Sequence, residues 1–341
     1  MSTGLFLGKL APLHEGHQYC IETALKKVDD LYILIYNCPD VTDVPLITRA
    51  NWIRELYPEV TVLEAWVAPM ERGYTDHMKA KHESYIANKL EENNITNIDV
   101  FFSSEPYGTH MAESLGAEDF RVDQKRNLNP ISATQIREWI SSNKYSKVQK
   151  SVDKLVYKDL VTNVAVLGGT STGKTTLCKQ LASEYSTKWQ PEVGREFWNE
   201  HADENGLLTK KELYELACKH LKAEEEKLAE ANKYLFTDTN AITTGMFSKI
   251  YHNDIHPKLE QLMLENISRY DVFILCNNDI PFEDEPGREG SDGSKQLQRM
   301  YKSWLRSHEV PYYMVEESVK NRVEQVGEIL CEFSKWNTQR N

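Results

Sequence analysis

Short apolar runs alternate with amphipathic helical segments through the first half of the chain. Strands are predicted at Leu5–Leu7, Leu31–Tyr36, Val60–Trp66 and Ile98–Phe102, and helices from about His17 to Val28 and near Arg49–Leu56. Strands that alternate with helices are typical of a parallel sheet covered on both faces.

A second α/β series follows a polar, helical stretch that runs from Thr134 to Asp159. Its strands are predicted at Val164–Leu167, Tyr234–Thr237, Val272–Leu275 and Tyr312–Val315. A long helix is predicted from Lys210 to Asn232, because Thr209 with Glu212 three residues later forms a capping-box pattern. The pattern predicts two α/β domains, residues 1–155 and residues 156–341.

Composition agrees with two folded domains, because 341 residues exceed the usual size of a single core. Hydrophobic residues make up 40% and charged residues 27%, which is typical of a globular protein. The net charge of −12, without a long basic stripe, argues against binding to nucleic acid or an anionic membrane. Phosphate ligands would therefore be bound in local pockets.

The six cysteines are scattered without zinc-site spacing, which predicts reduced thiols in the core. No signal-peptide pattern and no run of 18 apolar residues is present, so a cytoplasmic protein without membrane association is expected. The oligomeric state is left open, a homo-oligomer included.

The first predicted strand leads through Gly8 and Lys9 to the run His14–His17 at the start of a helix. A helix N-terminus presents unpaired N–H groups and a favourable dipole to phosphate. Gly16 permits a tight turn between His14 and His17, so that both imidazoles can donate to a triphosphate. The alternative is two unrelated polar residues at a turn. The candidate ATP contacts are Gly8, Lys9, His14, Gly16 and His17, with Lys9, His14 and His17 as catalytic candidates.

A second cluster follows the turn signal Asn129-Pro130. Ser132 or Thr134 can cap a helix and contact phosphate, and Arg137 carries a planar fork suited to phosphate oxygens. The alternative is an ordinary N-cap followed by a surface arginine.

The strongest pattern in the chain is a GxxxxGKT run directly after the strand Val164–Leu167. Its backbone wraps phosphates, Lys174 reaches the β and γ oxygens, and the hydroxyl of Thr175 ligates Mg²⁺. The remaining predicted ATP contacts are Gly168, Gly169, Thr170, Ser171, Thr172, Gly173 and Thr176.

Other candidates for a kinase site lie further along the chain. Asp238 closes a predicted strand and is expected to bind Mg²⁺ or accept a hydroxyl proton, a role interchangeable with that of Glu192. Arg195 is a candidate substrate ligand, and Arg288 a candidate ATP ligand on a turn-rich lid over residues 281–294. The alternatives are a turn aspartate, a surface Glu–Arg pair and a flexible acidic loop.

The first two clusters, in this order and about 100 residues apart, resemble the HxGH nucleotidyltransferase superfamily. That resemblance implies a Rossmann-like sheet in which a substrate phosphate attacks the α-phosphorus of ATP and pyrophosphate leaves. It implies that His14 and His17 stabilise charge on the α- and β-phosphates, that Lys9 assists and that Arg137 holds the β- and γ-phosphates. Because the nucleophile is already anionic, positioning, charge stabilisation and Mg²⁺ suffice without a strong base. One departure is Leu10, where many relatives have an aromatic residue.

With the P-loop behind it, nearly the whole chain resembles the bifunctional nicotinamide-nucleotide adenylyltransferase/ribosylnicotinamide kinases of NAD salvage. The strings Ser103–Gly108, Glu192–Glu196 and Asp238–Asn240 add to the resemblance. It implies that a P-loop kinase domain phosphorylates nicotinamide riboside with ATP and that the first domain adenylylates nicotinamide mononucleotide to NAD. Some members begin with a helix-turn-helix segment; here the first strand starts by Leu5, so no DNA-binding role is expected.

The nicotinamide pocket is less well defined by the sequence. Arg49 and Trp52, together with Trp66 and Tyr107, are candidates for it, because arginine binds phosphate and aromatic rings stack. Each equally fits a core or surface position.

Two other functions remain compatible with these patterns. In the first, both domains are enzymes that act on another phosphate monoester and another nucleoside. In the second, one domain senses a nucleotide and regulates a partner. Two inactive sites are disfavoured, because the candidate residues of both are all present: Lys9, His14, His17, Arg137, Lys174 and Thr175. The phosphate monoester that consumes ATP and releases pyrophosphate tests the first function, and binding without turnover in either domain would favour the second.

Overall fold

The computed structural model describes residues 1–69, 75–105, 107–204, 206–281 and 290–336, without the side chain of Arg195. The chain divides into two compact units, Met1–Tyr157 and Lys158–Lys335, which are called unit 1 and unit 2 below.

Unit 1 contains a five-stranded sheet in which every neighbouring pair is parallel. Its strands are β1 (Thr3–Gly8), β2 (Asp30–Tyr36), β3 (Thr61–Ala65), β4 (Val100–Ser103) and β5 (Glu118–Arg121), in the order β3-β2-β1-β4-β5. Its helices are α1 (Glu15–Leu25), α2 (Leu46–Leu56), α3 (Asp76–Glu92), α4 (Gly108–Leu115), α5 (Ala133–Ser141), α6 (Tyr145–Gln149) and α7 (Lys154–Leu160), of which α7 continues into unit 2.

The strand order reverses between β1 and β4, where Phe6 pairs with Phe102. The chain moves outward from β1 through β3 and then returns to the other side of β1. The loops that leave the carboxyl ends of β1 and β4 therefore run in opposite directions and leave a crevice between them. Open α/β sheets bind ligands in a crevice of this kind. Leu5 and Leu7 of β1 pack with Ile86 and Leu90 of α3 on one face, which anchors the central strand of the sheet.

Unit 1 differs from the sequence prediction in several features, among them helices α3 and α4, which were not predicted. Helix α1 begins at Glu15 and not at His17, because the side chain of His14 caps it. Strand β5 was not predicted, since its residues are mostly polar and none is fully buried. The helical stretch predicted from Thr134 to Asp159 consists of the three short helices α5, α6 and α7.

Unit 2 contains a second sheet of five parallel strands. The strands are β6 (Thr162–Leu167), β7 (Lys188–Gln190), β8 (Tyr234–Asp238), β9 (Val272–Cys276) and β10 (Tyr313–Val315), in the order β10-β9-β6-β8-β7. The helices are α8 (Lys174–Glu184), α9 (Gly194–His201), α10 (Lys210–Glu230), α11 (Ala241–His252), α12 (Pro257–Arg269), α13 (Ser291–Ser307) and α14 (Val319–Glu332).

Both faces of this second sheet are buried, as the continuous apolar run of β6 predicts. Successive side chains of a strand point to opposite faces. Accordingly, Val164 and Val166 pack in one cluster with residues of α8 and α14, and Ala165 and Leu167 pack in another with residues of α11, α12 and α13. The two-domain parallel α/β fold is confirmed.

Within the described part of the chain, no helix is long and apolar enough to cross a membrane. All six cysteines are thiols without a disulfide. Four are buried, whereas Cys218 is half-buried and Cys331 is exposed on α14, so the prediction of a core thiol is wrong for Cys331.

Candidate active sites

The loop between β1 and α1 turns inward, and the side chains from Leu10 to His14 are all buried. His14 is the N-cap of α1, and its Nδ1 accepts a hydrogen bond of 3.1 Å from the backbone N–H of Gly16. In the neutral ring the proton is therefore on Nε2. The ring centroids of His14 and His17 are 3.8 Å apart, so the two imidazoles form one cluster at the start of α1.

Both imidazoles are neutral at pH 7. Burial, with a smaller contribution from the charge of Arg126, lowers the pKa of His14 to about 4. Burial also lowers the pKa of His17 well below its usual value, and His14 and Arg126 lower it further. Among the described residues, Nδ1 of His17 is buried without a hydrogen-bond partner, so it has hydrogen-bonding capacity to offer a ligand.

The second motif of unit 1 lies against the first. Ser132 is the N-cap of α5, where its Oγ accepts from the N–H of Gln135 at 3.2 Å. Nη1 of Arg137 donates to the carbonyl of Ala11 at 2.7 Å, and Nη2 donates to Oγ1 of Thr134 at 3.1 Å. Arg137 therefore links two motifs that are far apart in the sequence.

Two cavities, of about 410 and 370 Å³, lie beside these motifs. Both are lined by Lys9, His17, Glu105 and Arg126. The larger cavity is also lined by Ser132, Thr134 and Arg137, and the smaller by Gly8, His14, Gly16 and Tyr107. The predicted phosphate-binding residues of unit 1 thus surround one region of suitable size for a nucleotide.

Sequence reasoning missed two charged residues of this region. Nη2 of Arg126 lies 2.5 Å from Oε1 of Glu105, and both side chains are about half exposed. Glu105 follows β4 and Arg126 precedes the second motif by six positions. The sequence signal that could have identified both residues was the presence of charge in the two loops that flank the motifs.

Arg49 and Trp52, the predicted substrate contacts, lie outside the linings of both cavities. Arg49 is buried, and its guanidinium donates to the carbonyls of Val44 at 3.1 Å, Tyr36 at 3.0 Å and Lys9. Trp52 lies in the interior. Arg49 thus holds the backbone of Lys9, and a direct substrate contact is not supported for either residue.

The other two aromatic candidates differ from each other. Trp66 is 54% exposed and lies outside both linings. Tyr107 lines the smaller cavity, and its hydroxyl donates to the carbonyl of Leu7 at 3.1 Å.

In unit 2 the P-loop joins β6 to α8. Gly173, the N-cap of α8, has a φ of +79°, which favours glycine, so the helix can start at Lys174. Nζ of Lys174 and Oγ1 of Thr172 both donate to the carbonyl of Gly169 at 2.8 Å. Arg322, which is buried on α14, donates to the carbonyl of Thr172. These contacts fix the loop around the N-terminus of α8.

The remaining P-loop candidates are ordered in the same loop. Thr170 lines the cavity described below, and its Oγ1 is buried without a partner among the described residues. Ser171 has a left-handed φ of +56°, Gly168 a positive φ of +149°, and Thr176 is exposed on the first turn of α8.

Asp238 closes β8 beside the P-loop, because β8 pairs with β6 and Val166 pairs with Asp238. Oγ1 of Thr175 donates to Oδ2 of Asp238. Burial raises the pKa of Asp238 to about 6, against the charge of Lys174 and the Thr175 hydrogen bond, which lower it. Oδ1 of Asp238 is buried and has no hydrogen-bond partner in the described ranges.

This geometry fits Mg²⁺. No group of three or more His, Cys, Asp or Glu able to hold a metal occurs among the residues that the structure describes. Mg²⁺ does not require one, since it commonly binds through one or two protein oxygens, phosphates and water. The unsatisfied Oδ1 of Asp238 and the neighbouring Thr175 hydroxyl are suitable oxygens.

A third cavity, of about 270 Å³, lies on this side of unit 2. Its lining includes Thr170, Glu192, Trp198, His220, Phe247 and Tyr251. Glu192 lies near enough to Asp238 for its charge to raise the pKa of that carboxyl. Glu192 and Asp238, the two acidic candidates, therefore lie in one neighbourhood.

His220 of α10 was not predicted from the sequence. Its side chain is 6% exposed, it lines the third cavity, and its Nε2 has no partner within the described residues. Burial lowers its pKa, although the charges of Glu224 and Glu192 oppose that effect. An isolated histidine on a helix carries no sequence signal for this position.

The structure does not describe the side chains of two arginines that were predicted for the kinase site. Arg195 belongs to α9, but its side chain lies outside what the structure describes, and Arg288 lies outside the described residues altogether.

Comparison with known proteins agrees with this architecture. Residues 163–322 match the family model of an AAA domain. Over 334 residues the chain is 28% identical to the trifunctional NAD biosynthesis/regulator protein NadR of Escherichia coli, with 92% of this chain and 78% of that protein covered.

Two solved structures have a similar fold. A crystal structure of a NadR protein in complex with NAD and AMP-PNP has a TM-score of 0.60 at 19% identity and covers 97% of this chain and 95% of that one. A NadR protein in complex with NR gives 0.61 at 20% identity, with the same coverage.

The two parallel sheets and the P-loop of unit 2 define a two-domain α/β protein of the nucleotide-binding class. Over nearly its whole length the chain is similar to NadR proteins, in sequence and in fold.

Proposed function

We propose that the protein is a bifunctional enzyme of NAD salvage. Residues 1–155 form an adenylyltransferase domain that converts nicotinamide mononucleotide and ATP to NAD and pyrophosphate. Residues 156–341 form a kinase domain that phosphorylates nicotinamide riboside with ATP. The observation that carries the proposal is the Arg137–Ala11 hydrogen bond, which joins both phosphate motifs of unit 1 at one pair of cavities while unit 2 has its own P-loop.

In the adenylyltransferase, the triphosphate of ATP is bound by Lys9, Arg137 and the N-terminus of α5. The neutral His14 donates from Nε2, and His17 adds a second imidazole at the point where charge develops. An oxygen of the mononucleotide phosphate forms a bond to the α-phosphorus, and the bond from that phosphorus to the bridging oxygen breaks. The electron pair leaves with pyrophosphate, so no proton has to be removed by the protein.

In the kinase, the N-terminus of α8 and Lys174 bind the β- and γ-phosphates of ATP. The 5′-hydroxyl of the riboside enters the third cavity, and Asp238 or Glu192 accepts its proton as the oxygen forms a bond to the γ-phosphorus. The bond between that phosphorus and ADP breaks. Asp238 and Thr175 would hold Mg²⁺, which supplies charge neutralisation on the phosphates when bound.

The ligands named for the solved NadR structures, NAD, AMP-PNP and NR, support this assignment. NAD is the product of the proposed adenylyl transfer, AMP-PNP is an ATP analogue, and NR stands for nicotinamide riboside. ATP as co-substrate is also supported by the P-loop of unit 2.

The test is to incubate the purified protein with magnesium-ATP and either nicotinamide mononucleotide or nicotinamide riboside, and to separate the products by chromatography. We expect NAD from both substrates, with ADP formed only from the riboside. NAD from the mononucleotide alone would refute the kinase assignment. Binding without any product would instead favour a nucleotide sensor, and turnover of other substrates a different transferase and kinase pair.

A further inference from the structure

Glu105 presents a carboxylate in a region that is otherwise suited to phosphate. It lines both cavities of unit 1 together with Lys9 and His17, the residues predicted to contact ATP. A negative charge at this position repels a phosphate unless a cation neutralises it. Arg126 supplies that cation, with 2.5 Å between Nη2 and Oε1 of Glu105.

The backbones of both residues are held in place. The carbonyl of Glu105 accepts hydrogen bonds from Arg121 and from the N–H of Gly108 at 3.2 Å. The loop at Arg126 is organised by Asp123, whose carboxylate accepts from the N–H groups of residues 127, 128 and 129. Arg126 itself has a φ of +50°, an unusual conformation for a residue with a side chain. Its guanidinium is therefore directed from a fixed loop.

The two side chains remain able to exchange partners. Both are nearly half exposed, so the ion pair is screened by water and costs little to open. Arg126 also acts on the catalytic cluster, since its charge lowers the pKa of His14 and of His17. Arg126 lines the smaller cavity together with both imidazoles, so a phosphate bound there can contact all three side chains.

We propose that Glu105 occupies the place of a substrate phosphate on Arg126, and that an incoming phosphate displaces Glu105 and takes Arg126 as a bidentate ligand. The carboxylate thus acts as an internal competitor of the anionic substrate. This inference rests on the proposed phosphate site of unit 1, but it does not depend on which mononucleotide is the acceptor.

The competition predicts opposite effects for the two residues. The test is calorimetric titration with pyrophosphate in a Lys174→Ala background, which removes the P-loop lysine so that unit 1 dominates binding. Arg126→Gln should weaken binding about 10-fold or more, because a charge-assisted hydrogen bond is lost. Glu105→Gln should tighten binding about 3- to 10-fold, since the competing charge is removed while its size is kept.

Two controls make the result specific. Glu91→Gln removes one exposed carboxylate of α3 and should change affinity less than about 2-fold, because distant surface charges are screened. In an Arg126→Gln background, Glu105→Gln should lose its advantage. If Arg126→Gln lowers the melting temperature, Arg126→Lys, which keeps the charge, replaces it in the titration.

The proposal is overturned if Glu105→Gln tightens binding no more than Glu91→Gln, or if neither Arg126 variant weakens it. Absence of pyrophosphate binding in the Lys174→Ala background would also overturn it. Failure of the mononucleotide to yield NAD would instead refute the proposed function while leaving this titration interpretable.

Discussion

Nη1 of Arg137 donates a 2.7 Å hydrogen bond to the carbonyl of Ala11, which lies in the loop that carries His14. One side chain thus positions the loop of the first motif and presents its charge to the same cavity. Arg137→Lys keeps the charge but loses the fork, so we expect adenylyl transfer to fall about 100-fold in kcat/KM. Kinase activity should not change, and a loss below about 3-fold in NAD formation would contradict this role.

The two activities should separate by mutation. Lys174→Ala removes the P-loop ammonium and should abolish riboside phosphorylation while adenylylation of the mononucleotide continues. His17→Ala should do the reverse. Both rates are measured on each purified variant with the two substrates supplied separately. Loss of both activities in either variant would contradict independent sites.

Gly16 lies so close to His14 that a methyl group would crowd the ring. An added Cβ would be 3.0 Å from Cε1 and 3.1 Å from Nδ1 of His14, so the imidazole would have to shift by a few tenths of an ångström. Gly16→Ala should therefore lower adenylyl transfer about 3- to 10-fold. Gly327→Ala on α14, where the nearest contact of an added Cβ is an ordinary 3.5 Å, is the matched control. Equal rates for the two variants would disprove the crowding.

Arg49→Met tests whether this arginine is a structural residue or a substrate ligand. Its guanidinium is hydrogen-bonded to backbone carbonyls, so the substitution should lower the free energy of unfolding of unit 1 by about 2–3 kcal/mol. Denaturant unfolding measures this loss. A large rise in the KM of the mononucleotide without any loss of stability would show instead that Arg49 binds substrate.

Protonation of Asp238 should lower the kcat/KM of the kinase on the acidic side of its pH profile. Because its folded pKa is about 6, kcat/KM at low magnesium should fall as the pH drops below 6 and the carboxylate that accepts the proton or metal is lost. The raised pKa has the opposite effect on stability. Protonation favours the folded state, so this contribution is full below the unfolded pKa of 3.8 and is lost as the pH rises through about 6.

Asp238→Asn therefore should abolish phosphorylation yet raise the stability of unit 2 at pH 7, by on the order of 2 kcal/mol. Thermal unfolding at pH 7 and at pH 4 checks this: the variant should melt higher than the wild type only at pH 7. A lower melting temperature at pH 7 would show that the carboxylate stabilises the fold.

The sequence defined best those features whose cause is local. The P-loop follows a buried strand at fixed spacing, and the capping box of Thr209 and Glu212 is present at the start of α10. Strand β5 escaped prediction because its polar residues give no apolar alternation. Local pattern therefore sufficed for elements with a buried face.

Features that depend on distant partners were not readable. The pairing of Glu105 with Arg126 and the exposure of His220 to a cavity arise only when separate elements come together. Arg49 has the chemistry of a phosphate ligand, but its burial against carbonyl groups gives it another role. Residue type alone does not distinguish these cases.

The burial of β6 on both faces also constrains how this strand can change. Every position of β6 is buried, whereas no residue of β5 is. In a library of all single substitutions, Val164 to Leu167 should lose every polar variant, because each would place an unsatisfied group in a core. Positions Glu118 and Asp119, which are exposed, should accept most replacements. Substitutions should therefore accumulate more slowly at the centre of the second sheet than at the edge of the first.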